Sequence, residues 1–71
     1  MINTILKQLE DGFVEMETED DMLTIYYRKF FSQKKTWLFE YNCKAVYDCK
    51  TKKTAIKKIN EYINKGFKLK R

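Results

Sequence analysis

The sequence predicts an α+β fold: a short N-terminal helix, an antiparallel sheet of three or four strands, and a C-terminal amphipathic helix packed on the sheet. Apolar residues recur with the helical period of 3.6 near both ends of the chain, and between them they alternate with period two. Polar turn segments separate the alternating stretches. The chain of 71 residues is expected to form one small domain, 1–71, with a core rich in aromatic rings.

The first helix is predicted at residues 2–10, where four apolar residues share one helical face: Ile2, Ile5, Leu6 and Leu9. Gly12 ends it. Strands are predicted at residues 13–17, 22–31 and 36–42. If the second connection, around residues 32–35, is a five-residue loop, the apolar face of the sheet carries Val14, Met16, Leu23, Ile25, Tyr27, Trp37, Phe39 and Tyr41. The opposite face then carries Glu15, Glu17, Thr24, Arg28, Thr36 and Glu40.

Residues 43–49 leave two alternatives open. They either extend the third strand past a bulge near Asn42, or fold back as a fourth strand at 45–49. In an extended strand Cys43 and Cys49 lie about 20 Å apart, beyond the reach of a disulfide. We therefore expect both cysteines to be thiols packed in the core.

The last helix is predicted at residues 52–65. Thr51 is a suitable N-cap, because its hydroxyl can accept from an unpaired amide of the first turn. Gly66 stands where a left-handed residue ends a helix, and Phe67 is expected to fold back onto Tyr62. A basic tail, 66–71, follows.

The charged residues are segregated along the chain. Residues 1–21 hold one lysine and seven acidic residues, whereas residues 22–71 hold fourteen Lys and Arg and three acidic residues. An AT-rich coding bias explains the total number of lysines equally well, but it does not explain why the acids gather at one end. The asymmetry favours nucleic acid or an acidic surface as the partner.

Several functional classes are disfavoured by composition. The chain has no histidine and a single serine, so we expect no catalytic residues, no enzyme activity, no metal site and no cofactor. There is no apolar run long enough to span a membrane and no pattern typical of a secretory signal, so a cytoplasmic protein without membrane association is expected.

The first candidate site is the start of the last helix, where the open amides and the helix dipole favour an anion. Lysines crowd this end, and no acid lies between Lys50 and Glu61. The predicted phosphate-binding residues are Lys50, Lys52, Lys53, Lys57, Lys34, Lys35 and Arg28. Tyr26 and Phe30 could add base stacking unless a helix covers them. The alternative is that these lysines are ordinary solvated residues, partly neutralised by Glu61.

The segment Thr51-Lys52-Lys53-Thr54-Ala55-Ile56-Lys57, after three strands, resembles the last helix of a double-stranded RNA-binding domain. Residues 49–63 are also similar to the end of the arm-binding domain of phage-type integrases. Both resemblances imply a three-stranded sheet followed by a helix, and the resemblance to the RNA-binding domain implies that the lysines at the helix start contact phosphates. The glycine-bearing turns of those families are absent from this sequence.

The second candidate site is the acidic hairpin, defined as Glu15, Glu17, Glu19, Asp20 and Asp21. It is suited to docking on a basic groove of a host protein, such as a defence nuclease, which is a role typical of small inhibitors or adaptors from phages and mobile elements. The chain is expected to be a monomer, or a homodimer formed through an exposed strand edge.

Overall fold

The computed structural model describes residues 1–30 and 34–70, which form two helices and one five-stranded sheet. The elements are α1 (Ile2–Leu9), β1 (Phe13–Glu17), β2 (Met22–Arg28), β3 (Thr36–Tyr41), β4 (Lys44–Cys49), α2 (Lys52–Asn64) and β5 (Lys68–Leu69). The strands are antiparallel and lie in the order β4-β3-β2-β1-β5. This arrangement confirms the predicted α+β fold, with one helix before β1 and the other after β4.

Both helices pack on the same face of the sheet. Ile5 and Leu9 of α1 and Ala55, Ile59 and Tyr62 of α2 are buried. They form one core with inward-facing strand residues and with Phe67, and the strand residues are Val14, Met16, Leu23, Ile25, Trp37 and Phe39. The opposite face of the sheet has no helix over it in the described part of the chain.

The predicted register of the first three strands is confirmed. Val14 pairs with Ile25, and Ile25 pairs in turn with Phe39. Tyr27 pairs with Trp37, and their rings stack with centroids 4.4 Å apart. Because side chains alternate along a strand, these pairs put every predicted apolar residue on the helix-covered face.

Two strand ends differ from the prediction. β2 ends at Arg28 instead of residue 31, which itself lies outside the described residues, as do residues 32 and 33 of the predicted turn. β3 ends at Tyr41, and Asn42 and Cys43 form a two-residue turn with φ values of 49° and 71°. This turn leads into β4, so the structure selects the fourth strand over an extended third strand.

The turn corrects the prediction for one cysteine. Cys43 is exposed because it is the second residue of the turn, whereas Cys49 is half-buried and packs against the core. Both are free thiols. A bulge in β4 leaves Val46 without a partner on β3, and its side chain is 52% exposed.

The ends of α2 follow from its cap residues. The Thr51 hydroxyl accepts from the amide of Thr54 at 3.3 Å, as predicted for an N-cap. At the other end Phe67 N–H donates to the Tyr62 carbonyl at 3.1 Å, and Gly66 adopts φ 103°. The Phe67 ring meets the Tyr62 ring edge-on at 5.4 Å, which confirms the predicted Schellman ending.

The predicted basic tail contains a short strand that the sequence pattern did not indicate. β5 pairs with β1 through Met16 and Leu69 and through Glu17 and Lys68. Lys70 N–H then donates to the Glu15 carbonyl at 3.0 Å. The segment thereby covers part of the β1 edge, and residue 71 lies outside the described residues.

Candidate nucleic-acid interface

The sheet register brings most of the predicted phosphate-binding residues to one end of the molecule. Arg28 ends β2 opposite Thr36, the residue that follows Lys35. Trp37 pairs with Cys49, so Lys50 leaves β4 at the same end, and α2 begins two residues later. We define this set as the basic end: Arg28, Lys34, Lys35, Lys50, Lys52 and Lys53. Lys57 lies one turn further along α2 and is exposed.

One lysine of the basic end lines a concavity. Lys52 and Lys7 border a groove of about 510 Å³ between α1 and the start of α2, whose floor includes Tyr27 and Trp37. Glu10 also lines it, so the groove carries one acid beside two lysines. The ammonium group of Lys35 lies over the Tyr27 ring at 5.3 Å from its centroid. Lys35 therefore contacts one of the two stacked rings, and Lys52 lines the groove that both rings border.

The first turn of α2 holds no acidic residue. Lys50, Lys52 and Lys53 are all exposed, so their charges are solvated. The Thr51 cap bonds to the amide of Thr54, and the hydroxyls of Thr51 and Thr54 are themselves 2.8 Å apart. Other amides of this first turn lack partners within the helix, as at any helix start, and the lysines beside them in the chain add positive charge to an end that already carries the positive pole of the helix dipole.

The acidic hairpin occupies the opposite end of the sheet, and one of its residues is used in the fold. Asp21 accepts from the Tyr41 hydroxyl at 2.6 Å and from the Asn42 side-chain amide at 3.0 Å. These two hydrogen bonds lower the pKa of Asp21, and the bond to Asp21 is the main reason why the pKa of Tyr41 is raised. Asp21 therefore joins the β1–β2 turn to the β3–β4 turn.

The other members of the hairpin divide into exposed and partly neutralised residues. Glu19 and Asp20 are exposed at the turn. Glu15 forms an ion pair with Lys70, with 3.8 Å between Oε2 and Nζ. Glu17 and Glu19 line a groove that also includes Lys65 and Lys68. The hairpin is thus less strongly acidic in the fold than its sequence indicates.

The uncovered face of the sheet carries a cluster of three rings close to the basic end. We define the aromatic cluster as these rings, Phe13, Tyr26 and Phe30, together with the Arg28 guanidinium that lies over one of them. The Phe13 and Tyr26 centroids are 6.3 Å apart, and those of Tyr26 and Phe30 are 6.5 Å apart. The Arg28 guanidinium lies 4.6 Å from the Tyr26 centroid. Neither described helix covers Tyr26 or Phe30, so no helix prevents these two rings from stacking on a base.

Sequence reasoning missed two residues of this region. Phe13 was placed in β1 without a role, although it shares the parity of Glu15 and Glu17 and therefore had to lie on the polar face. Lys29 follows Arg28 and is exposed at the basic end, and the Arg-Lys pair in the sequence was the available signal.

Within residues 1–30 and 34–70, no group of three or more acidic or cysteine side chains is placed to hold a metal ion. No helix in this part of the chain is long and apolar enough to cross a membrane. Comparisons with family models, curated proteins and solved structures gave no significant match. The resemblance of the α2 start to RNA-binding and integrase domains stays a prediction.

Proposed function

We propose that the protein is a non-enzymatic nucleic-acid-binding protein that binds phosphates at its basic end. The observation that supports this best is that three separate segments bring positive side chains to one end of the sheet: the end of β2, the segment before β3 and the segment that joins β4 to α2. The open amides of the α2 first turn lie at the same end. Phosphate groups are the ligands that suit amides and ammonium groups together.

Salt dependence is the quantitative test of this proposal. Each phosphate neutralised on duplex DNA contributes a slope of about −0.9 to log K against log salt concentration. Four or five contacts therefore predict an affinity loss of about 10²–10³-fold between 50 and 200 mM salt. Fluorescence anisotropy of a labelled oligonucleotide measures this directly. Binding that is absent at 20 mM salt, or that does not change with salt, would contradict the proposal.

A charge-matched pair of variants locates the site. Lys52→Gln with Lys53→Gln removes two charges from the basic end, and we expect the salt slope to fall by about 2. Lys44→Gln with Lys68→Gln removes the same charge from exposed positions at the other end of the sheet, and its binding should remain close to that of the wild type. Equal losses in both variants would show attraction to net charge instead of a defined site.

The alternative is that the acidic hairpin docks on a basic surface of a host protein, as an inhibitor or adaptor. The exposure of Glu19 and Asp20 on a turn held by Asp21 favours it. The test is Glu19→Lys with Asp20→Lys, because Asp21 cannot be changed without loss of its structural bonds. Pull-downs from a lysate with and without nuclease treatment separate the two roles: capture of protein that survives nuclease and is lost in this variant supports docking.

A further inference from the structure

We infer that the uncovered face of the sheet binds the bases of single-stranded nucleic acid, with the aromatic cluster as the stacking platform. This inference rests on the proposed function, because the phosphates of the same strand are to be held at the basic end. It adds a ligand class, since a duplex keeps its bases stacked on one another and cannot present them to a protein ring.

Exposure of the rings is the first observation. Phe13 is 47% and Phe30 is 39% exposed, and both belong to one contiguous patch with Tyr26. Single exposed apolar residues are ordinary on a protein surface, but adjacent exposed rings are typical of a binding surface. The patch also borders a shallow groove of about 470 Å³ that runs along the face past Thr24.

Ring geometry is the second observation. The Phe13 and Tyr26 rings are tilted by 37°, and the Tyr26 and Phe30 rings meet edge to face at 89°. Phe13 and Phe30 therefore do not stack flat on their neighbour, and each keeps ring surface for a base. The Arg28 guanidinium lies over Tyr26, so its own planar group can also receive a base while its charge meets a phosphate.

Charge complementarity identifies the occupant. Arg28 belongs both to the aromatic cluster and to the basic end: its guanidinium lies over Tyr26 on the uncovered face, at the end of β2 where the lysines of the basic end are also placed. The acids on this face are Glu15, Glu17, Glu40 and Asp48. Glu15 is paired with Lys70. Glu40 lies near Tyr26, whose pKa is raised by burial and then by the charge of this carboxylate. Asp48 lies on β4, two strands away from Tyr26. A strand whose backbone enters at the basic end meets the rings before it reaches Glu17, at the far end of β1.

The test compares four labelled 12-mers: single-stranded DNA, single-stranded RNA, a DNA duplex, and an abasic strand with the same phosphates. We expect the wild type to bind both base-bearing single strands at least 5-fold more tightly than the abasic strand. Phe13→Ser with Phe30→Ser removes two stacking rings, so it should weaken binding of base-bearing strands about 30-fold or more and leave the abasic strand unchanged. Val46→Ser, an exposed apolar residue outside the cluster, is the control and should change nothing.

The outcomes separate this inference from the proposed function. Equal affinity for abasic and base-bearing strands, with salt-dependent binding retained, overturns stacking and leaves phosphate binding intact. An effect of the Phe variant without any effect of Lys52→Gln with Lys53→Gln supports stacking and contradicts the basic end. No binding of any strand at 20 mM salt contradicts both. A wild-type dimer that the Phe variant converts to a monomer, with oligonucleotide binding unchanged, assigns the face to contact between copies and overturns the inference.

Discussion

Replacing Lys53 by an acid should make the protein more stable while it weakens nucleic-acid binding. Lys53 is exposed in the first turn of α2, where the helix dipole favours negative charge and no acid is present. A single charge near a helix end changes stability by about 0.3–1 kcal/mol at low ionic strength. Lys53→Gln removes one unfavourable interaction, and Lys53→Glu also adds a favourable one. We therefore expect gains of about 0.5 and 1 kcal/mol respectively.

Three properties of this series make the expected gain measurable. Lys, Gln and Glu have nearly equal helix propensities, so the series changes charge and little else. For a protein of this size, 1 kcal/mol corresponds to about 4–8 °C in Tm. Urea unfolding followed by the fluorescence of Trp37, which is 8% exposed in the core, gives the free energy of unfolding.

Two controls decide whether the dipole is the cause. In 1 M salt, where the screening length is about 3 Å, the gain should shrink markedly. Lys65→Glu makes the same charge change at the C-terminal end of α2, and there the sign should reverse. A loss of stability in Lys53→Glu at low salt, or a gain that high salt does not alter, would refute the electrostatic account of this helix start.

Three further substitutions test other parts of the fold. Gly66→Ala should lower stability by about 1 kcal/mol in urea unfolding, because φ is 103° there although no atom lies within 4 Å of the added methyl group. Cys43→Gly should raise stability by about 0.5–1 kcal/mol in the same assay, since the second turn residue has φ 71°. Tyr41→Phe should flatten the loss of stability below about pH 4. The hydrogen bond from Tyr41 lowers the pKa of Asp21, so its contribution is present above the unfolded pKa and is lost as pH falls through the lower folded value. Unchanged stability in Gly66→Ala or Cys43→Gly, or an unchanged pH dependence of stability in Tyr41→Phe, contradicts the corresponding geometry.

The register of the central strands could be predicted because it is dictated by local alternation. Leu23, Ile25 and Tyr27 point to one side of β2 whatever the rest of the chain does, and any loop with an odd number of residues places Trp37 and Phe39 on that same side. The ends of α2 could also be predicted, because Thr51 and Gly66 act through hydrogen bonds to residues only a few positions away.

The β3–β4 turn and β5 could not be predicted because their causes are distant in sequence. Asn42 and Cys43 lack the glycine that usually marks a two-residue turn. The turn is held instead by Met22. Its backbone N–H donates to the side-chain oxygen of Asn42, and its carbonyl accepts from the backbone N–H of Asn42. β5 is two residues long, too short for any periodic pattern, and exists because β1 offers it an edge.

The candidate site shows the same division. The helix-start lysines were visible in sequence, because they are neighbours along the chain. Their placement at the same end of the sheet as Arg28 depends on the register, and the exposure of Phe13 depends on which face the helices leave open. Neither property is encoded in any single segment. The candidate interface as a whole is therefore a product of the tertiary fold.

The opposite placement of Arg28 and Glu19 affects how the molecule would meet a polyanion. β2 separates the two ends by about 20 Å, given about 3.3 Å per residue over Met22–Arg28. The field of a polyanion exerts a torque on such a charge distribution, so that the molecule rotates into orientation during its approach. At physiological salt the field decays within about 8 Å, well short of that separation. Added salt should consequently slow association first, before it shortens the lifetime of complexes already formed.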